Sequence, residues 1–125
     1  MDKKYTKYFE VNKETWNKKV VIHSKSEFYN VDEFLKGKSS LNAYEIEELG
    51  DVKGKSILHL QCHFGQDTLS LARLGAKCTG IDLSNEGIKK AEERKQALEE
   101  KRRKILEERE AAKKAKEEEE NKKEE

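Results

Sequence analysis

His59, Cys62, His63 and Asp67 fall close together in the chain, and Asp82 follows a short distance downstream. Imidazoles can move protons or hold a metal, a thiol can attack, and carboxylates accept hydrogen bonds. Each chemistry makes its own demand. Structural zinc wants four ligands, and His59, Cys62 and His63 have only the distant Cys78 or His23 to complete a set. His59 also alternates with Leu58 and Leu60 in a strand-like pattern, which turns it away from Cys62. A nucleophilic Cys62 needs an activated thiolate beside a base. His63 is its neighbour in sequence, and adjacent side chains rarely meet productively. No metal and no catalytic residue is therefore assigned. Asp82 admits two readings: an acceptor for a ligand's hydroxyl groups, or a cap of the helix that follows, a role open to Ser84 as well.

The elements that must position these residues are legible around them. Ser56–Leu60 reads as a strand, and Phe64–Leu74 as a helix with Leu69, Leu71, Ala72 and Leu74 on an apolar face and Gly75 as its stop. Lys77–Ile81 is a second strand, so the unit is a parallel pair joined by a right-handed crossover. A strand, a tight turn, a helix and an acid at the end of the next strand is the layout of a Rossmann-like half-site for the adenosine part of a ligand. Pyrophosphate-binding turns need several glycines; here Gly65 is alone, with Gln61 and His63 where others are expected. That disfavours a nicotinamide dinucleotide. A ligand without phosphate, holding a ribose and an amino-acid moiety near the turn, fits better, and S-adenosylmethionine is one.

Upstream, Met1–Tyr8 reads as frayed, and Asn12 as the cap of a helix through Trp16, Val20 and Val21. Phe28, Tyr29, Val31, Phe34 and Leu35 form an aromatic-rich segment ending at Gly37. Ser39 or Ser40 then caps a helix with Leu41, Tyr44, Ile46 and Leu49 inward and Gly50 as its stop. Trp16, Phe28 and Tyr29 are read as core residues packing this cap onto the sheet, with a lid over the site as the other reading. Asn85 onward is helical, with Ile88 and Ala91 facing inward.

From Arg94 the composition changes: 12 basic and 11 acidic residues stand among the last 32, with Leu98, Ile105 and Leu106 the only large apolar side chains. Such a segment cannot bury enough surface to fold as a globule. Glu99–Arg103, Glu100–Lys104, Glu110–Lys114 and Glu118–Lys122 are Glu-first pairs four apart that support a solvated helix. Ala91, Leu98, Ile105 and Ala112 recur every seven residues, but Arg94, Lys101 and Glu108 occupy companion positions. That favours a single extended helix over a coiled coil. The two charge signs interleave to a net +1 without a basic stripe, so no nucleic-acid partner is expected. No apolar run suggests a membrane span or a secretion signal, and two cysteines without a disulfide framework fit a reduced, cytoplasmic setting.

Ile57–Leu69, with Ala72–Ala76 and Thr79–Ser84, resembles a class I S-adenosylmethionine-dependent methyltransferase, in a bacterial subgroup whose turn is written Gln-Cys-His-Phe-Gly. Trp16, His23, Phe28–Tyr29, Gly37, Ser39–Leu41 and Glu47–Val52 are similar to that subgroup's helical cap, so the resemblance covers about residues 12–93. It implies that Leu60, Gln61, Cys62, His63 and Gly65 line the methionine and ribose side of S-adenosyl-L-methionine. It also implies that Asp82 holds the ribose hydroxyls, Leu83 lies against the adenine, and Tyr29 and Ser40 close over the pocket. The partner it implies is a small-molecule methyl acceptor. Because the match stops near Glu93, inside the second core helix, the sequence reads as a truncated half-site, with methyl transfer by this chain alone not expected.

The expected fold is thus α/β: a partial Rossmann-like βαβ module of class I methyltransferase type. Residues 1–54 form its helical cap, 55–93 the half-site and 94–125 a long charged helix. Self-association through exposed sheet edges or the tail helix is expected. The alternative function is a non-catalytic helical scaffold that acts through the tail.

Overall fold

A computed structural model describes residues 2–124. Helix α1 spans Lys3–His23, and the Asp2 carboxylate accepts the Lys4 N–H at 3.1 Å as its cap. The helix thus starts earlier than the expected Asn12 cap, and residues 3–8 are not frayed. Asp2 supplies the capping group, and no glycine or proline between Lys3 and Glu10 interrupts the helix. Val20 is the buried residue of α1, whereas Tyr5, Tyr8, Phe9 and Val11 are exposed.

Helix α2, Val31–Lys36, ends at Gly37 and buries Phe34. The Arg73 guanidinium lies 4.2 Å over the Phe34 ring and donates to the Phe34 carbonyl at 2.7 Å. Helix α3, Ala43–Leu49, corrects a second expectation: its cap is Asn42 and neither serine. Asn42 Oδ1 accepts the Glu45 N–H at 3.0 Å while Glu45 accepts the Asn42 N–H at 2.8 Å, a closed capping box. Nor are Tyr44, Ile46 and Leu49 inward; all three are exposed, and only Leu41, just before the cap, packs on the core. Gly50 ends the helix as expected.

Strands β1, Ser56–Leu60, and β2, Lys77–Ile81, pair in parallel with Ser56 opposite Lys77 and Leu60 opposite Ile81. Helix α4, Gln66–Arg73, joins them and packs against β2. It begins at Gln66 rather than Phe64 because the preceding residues form a turn in left-handed geometry, described below. Val52, Leu71 and Ala76 are buried together, with Leu41, Ile57 and Cys78 against them. Leu69 is half-buried, but Ala72 and Leu74 of the expected apolar face are exposed.

The sheet alternates cleanly. Ile57, His59, Cys78 and Gly80 face the covered side, while Leu58, Leu60 and Ile81 stand on the other side and are 60 %, 60 % and 49 % exposed.

Helix α5 spans Asn85–Glu124. By internal packing the chain divides into two units, Met1–Arg94 and Lys95–Glu125. In the second unit the Glu100–Lys104 pair forms at 2.8 Å, whereas Glu99 pairs back to Lys95 at 3.8 Å and Arg103 pairs on to Glu107 at 3.9 Å. Such exposed pairs contribute little each. No helix among the described residues is long and apolar enough to cross a membrane. The architecture is mixed: helices around a small two-stranded parallel sheet, with a helical C-terminal segment.

Phe34 is 2 % exposed and one of the largest fully buried side chains. Phe34→Ala is expected to cost about 3–5 kcal/mol in urea denaturation, a large share of a small unit's stability. A loss under about 1 kcal/mol would show that α2 contributes little to the fold.

Candidate functional site

The turn between β1 and α4 gathers three left-handed residues within five positions. Gln61, His63 and Gly65 have φ of 56°, 51° and 77°, all left-handed, and two of them carry side chains. Each such non-glycine residue costs about 1–3 kcal/mol unless its surroundings hold it. Here hydrogen bonds hold it. Cys62 donates its N–H to the Ile81 carbonyl at 3.0 Å, and Gly65 donates to the Cys62 carbonyl at 2.8 Å. His63 donates its N–H to Asp82 Oδ2 at 2.8 Å, while Asp82 Oδ1 accepts the Ser84 N–H at 2.8 Å. Asp82 thus accepts backbone N–H groups from the turn and from Ser84, while the cap of α5 is Ser84. The Ser84 hydroxyl in turn donates to Asn17 Oδ1 of α1 at 2.6 Å and accepts the Gly87 N–H at 3.0 Å.

The first turns of α5 close directly onto this loop. A Cβ on Gly87 would stand 2.8 Å from the His63 carbonyl oxygen, and one on Gly65 would stand 2.8 Å from the Ala91 Cβ. One helical turn further, Arg94 is buried; its guanidinium lies 4.2 Å over the Phe64 ring and donates to the Phe64 carbonyl at 3.0 Å. Burial pulls its pKa down to about 10, still charged at neutral pH. The sequence reading put Arg94 in the solvated tail. The signal for its burial was the Gly87–Ala91 spacing of small residues on one face just before it.

His63 sits at the centre of an aromatic cluster. Its Nε2 is 2.9 Å from His23 Nδ1, so one of the two nitrogens carries the shared proton. Trp16 and Tyr29 meet its ring edge-on at 5.7 and 5.6 Å between centroids. Burial, and then the neighbouring His23, hold the His63 imidazole below its ordinary pKa, partly opposed by Asp82. Its Nδ1 is buried with no partner among the described residues. His59 is engaged elsewhere, its Nδ1 lying 2.7 Å from the Thr68 hydroxyl. Burial, and then Asp82, push the Cys62 thiol up, which keeps it protonated and a poor nucleophile. Among the described residues no three His, Cys, Asp or Glu side chains group to hold a metal ion.

A cavity of about 440 Å³ opens between the N-terminal helices and the turn. Of the sequence-derived candidates, Tyr29, Ser40, Cys62, His63 and Gly65 line it; Leu60, Gln61, Asp82 and Leu83 do not. Those four follow or end the two strands, with Leu60 opposite Ile81 in the last register pair. Ser40 is tied into the wall: its N–H donates to Ser70 Oγ at 3.1 Å and its hydroxyl to Asp67 Oδ1 at 2.6 Å. Gln66 Nε2 donates to the Tyr29 carbonyl at 2.8 Å. Gln66 and Asp67 were missed as wall residues, although their position directly after Gly65 at a helix start was a usable signal. Comparisons of the chain with protein-family models, with curated proteins and with solved structures found no match.

Two outcomes follow from this packing. Gly65→Ala is expected to destabilise by about 1–3 kcal/mol through its positive φ and the Ala91 contact. Adding Ala91→Gly should return the contact part only, so a denaturation cycle showing full recovery, or none, contradicts the geometry. For His63, whose folded pKa is lowered, the unfolded chain takes up the proton first as pH falls. Stability is therefore full above the ordinary value of 6.5 and is lost on acidification through it toward the lower folded pKa. His63→Asn, which tolerates the left-handed backbone, should flatten the difference between urea midpoints at pH 7.5 and 5.5.

Proposed function

We propose that the turn after β1 and the carboxylate after β2 bind S-adenosylmethionine, as in the class I methyltransferases that this stretch resembles. The observation that carries the reading is the hydrogen bond between the His63 N–H and Asp82, which couples a single-glycine turn to an acid at the neighbouring parallel strand end. Ligands of parallel sheets bind at the carboxyl ends of the strands, which is where both features lie. The residues fit the ligand on two counts. Asp82 accepts two backbone N–H groups, and a carboxylate's roughly four lone-pair sites leave room for two ribose hydroxyls. One glycine in the turn leaves no phosphate cradle, and this ligand has no phosphate.

In this reading Asp82 orients the ribose and Leu83 lies against the adenine. Leu60, Gln61, Cys62, His63 and Gly65 line the methionine and ribose side. Tyr29 and Ser40, on the cavity wall, limit access of water. When bound, S-adenosylmethionine supplies an activated sulfonium methyl group. The protein's share of such a transfer is positioning, since an in-line displacement gains most from fixed geometry. The fixed turn backbone suits that role.

S-adenosylhomocysteine titrated into the full chain by calorimetry is expected to bind saturably. Asp82→Asn replaces one of the two oxygens that accept the His63 and Ser84 N–H groups with an NH2, so it should weaken binding about tenfold and lower the melting temperature as well. Absence of saturation at millimolar ligand removes the reading.

A further inference from the structure

The cavity between the N-terminal helices and the turn has two carboxylates in its lining, beside hydroxyl and amide side chains that can both donate and accept. Asp67, Glu45 and Gln66 present acceptors to it, and Lys38 is the one cationic side chain in its lining among the described residues. The Gln66 amide has a fixed sense. Its Nε2 donates to the Tyr29 carbonyl at 2.8 Å, and turning it round would set two carbonyl-type oxygens against each other. Gln66 is only 6 % exposed, and its Oε1 has no partner among the described residues. A buried acceptor in that state is costly, and a donor brought by a ligand relieves it.

The nearby guanidiniums do not alter this. Arg73 donates to the carbonyls of Phe34 and Lys38, and Arg94 donates to the carbonyl of Phe64; neither lines the cavity. Apolar surface comes from Phe28 and Tyr29, and Phe28 is 88 % exposed; Phe34 and Phe64 are buried behind the wall. A volume near 440 Å³ lies within the range of small-molecule sites.

We propose that this cavity binds a small molecule presenting an amino group on an apolar or aromatic body. The choice among polar groups rests on hydrogen-bond valence. An amino group carries two or three donors and can serve Gln66 Oε1 and the Asp67 carboxylate together. A hydroxyl carries one donor, and a carboxylate carries none while meeting two like charges. Only the further identification of this amine as a methyl acceptor rests on the S-adenosylmethionine reading; the binding itself does not.

The test uses the full chain and three probes of one shape, phenethylamine, 2-phenylethanol and 3-phenylpropionate, titrated by calorimetry. The amine is expected to bind saturably and about tenfold more tightly than the alcohol, with no saturation by the acid. Asp67→Asn keeps an oxygen for the Ser40 hydroxyl, and Glu45→Gln keeps the α3 capping box; each should reduce the amine's advantage over the alcohol at unchanged melting temperature. Equal binding of amine and alcohol, or no saturation by the amine at millimolar concentration, overturns the proposal. Amine binding without S-adenosylhomocysteine binding leaves this site standing and removes the cofactor reading; the reverse result removes this site alone.

Discussion

The Asp82 carboxylate ties together two strand ends that otherwise share the strand ladder and the Cys62 N–H to Ile81 carbonyl bond. One oxygen holds the His63 N–H of the turn and the other holds the Ser84 N–H at the start of α5. Two non-glycine residues in left-handed conformation lie in that turn, and their strain is tolerated because the backbone around them is tied on both sides. The grip on the turn extends outward in layers. Gly87 and Ala91 approach within contact distance, Arg94 stacks on Phe64, and Asn17 brings α1 onto Ser84. Removing the carboxylate would release a backbone loop, a helix start and the wall of a cavity together.

The same residues therefore carry both architecture and chemistry. His63 contributes its N–H to Asp82, its ring to the aromatic cluster with Trp16 and Tyr29, and its Nε2 to His23. Its backbone conformation is disfavoured for most side chains, yet its ring is in contact with residues from three parts of the chain. A glycine there would relax the turn and lose that cluster. Asp67 is similar on the cavity side, accepting the Ser40 hydroxyl from the first turn of α4. Ser40 in turn links the segment between α2 and α3 to α4 through Ser70 and Asp67.

What the sequence made legible follows the range of the interactions involved. Both strands have the expected bounds because alternation and flanking glycines are local signals. Gly37, Gly50 and Gly75 mark ends of elements for the same reason. The start of α1 was misjudged because a single carboxylate at Asp2 outweighs a polar composition that looked frayed. The inward face assigned to α3 failed because Tyr44, Ile46 and Leu49 follow helical spacing without a neighbouring element to bury them. Nothing in the sequence pairs His23 with His63, forty residues apart, and only the small residues Gly87 and Ala91 on its face set Arg94 apart from the charges around it. Of the candidate site, the turn and its acid were visible; the cavity, being a product of tertiary packing, was not.

The contact between Arg94 and Phe64 also joins residues that are synthesised at different times. The turn at residues 61–65 leaves the ribosome about thirty residues ahead of the guanidinium that stacks on it. Until Gly87, Ala91 and Arg94 have emerged and coiled into α5, the left-handed backbone at Gln61 and His63 lacks its covering helix. A nascent chain halted between Asp82 and Arg94 would carry the sheet's covered-side residues and the Asp82 bond, yet have an unclamped turn. The last residue of this unit to emerge is thus one that packs on the turn of the candidate site.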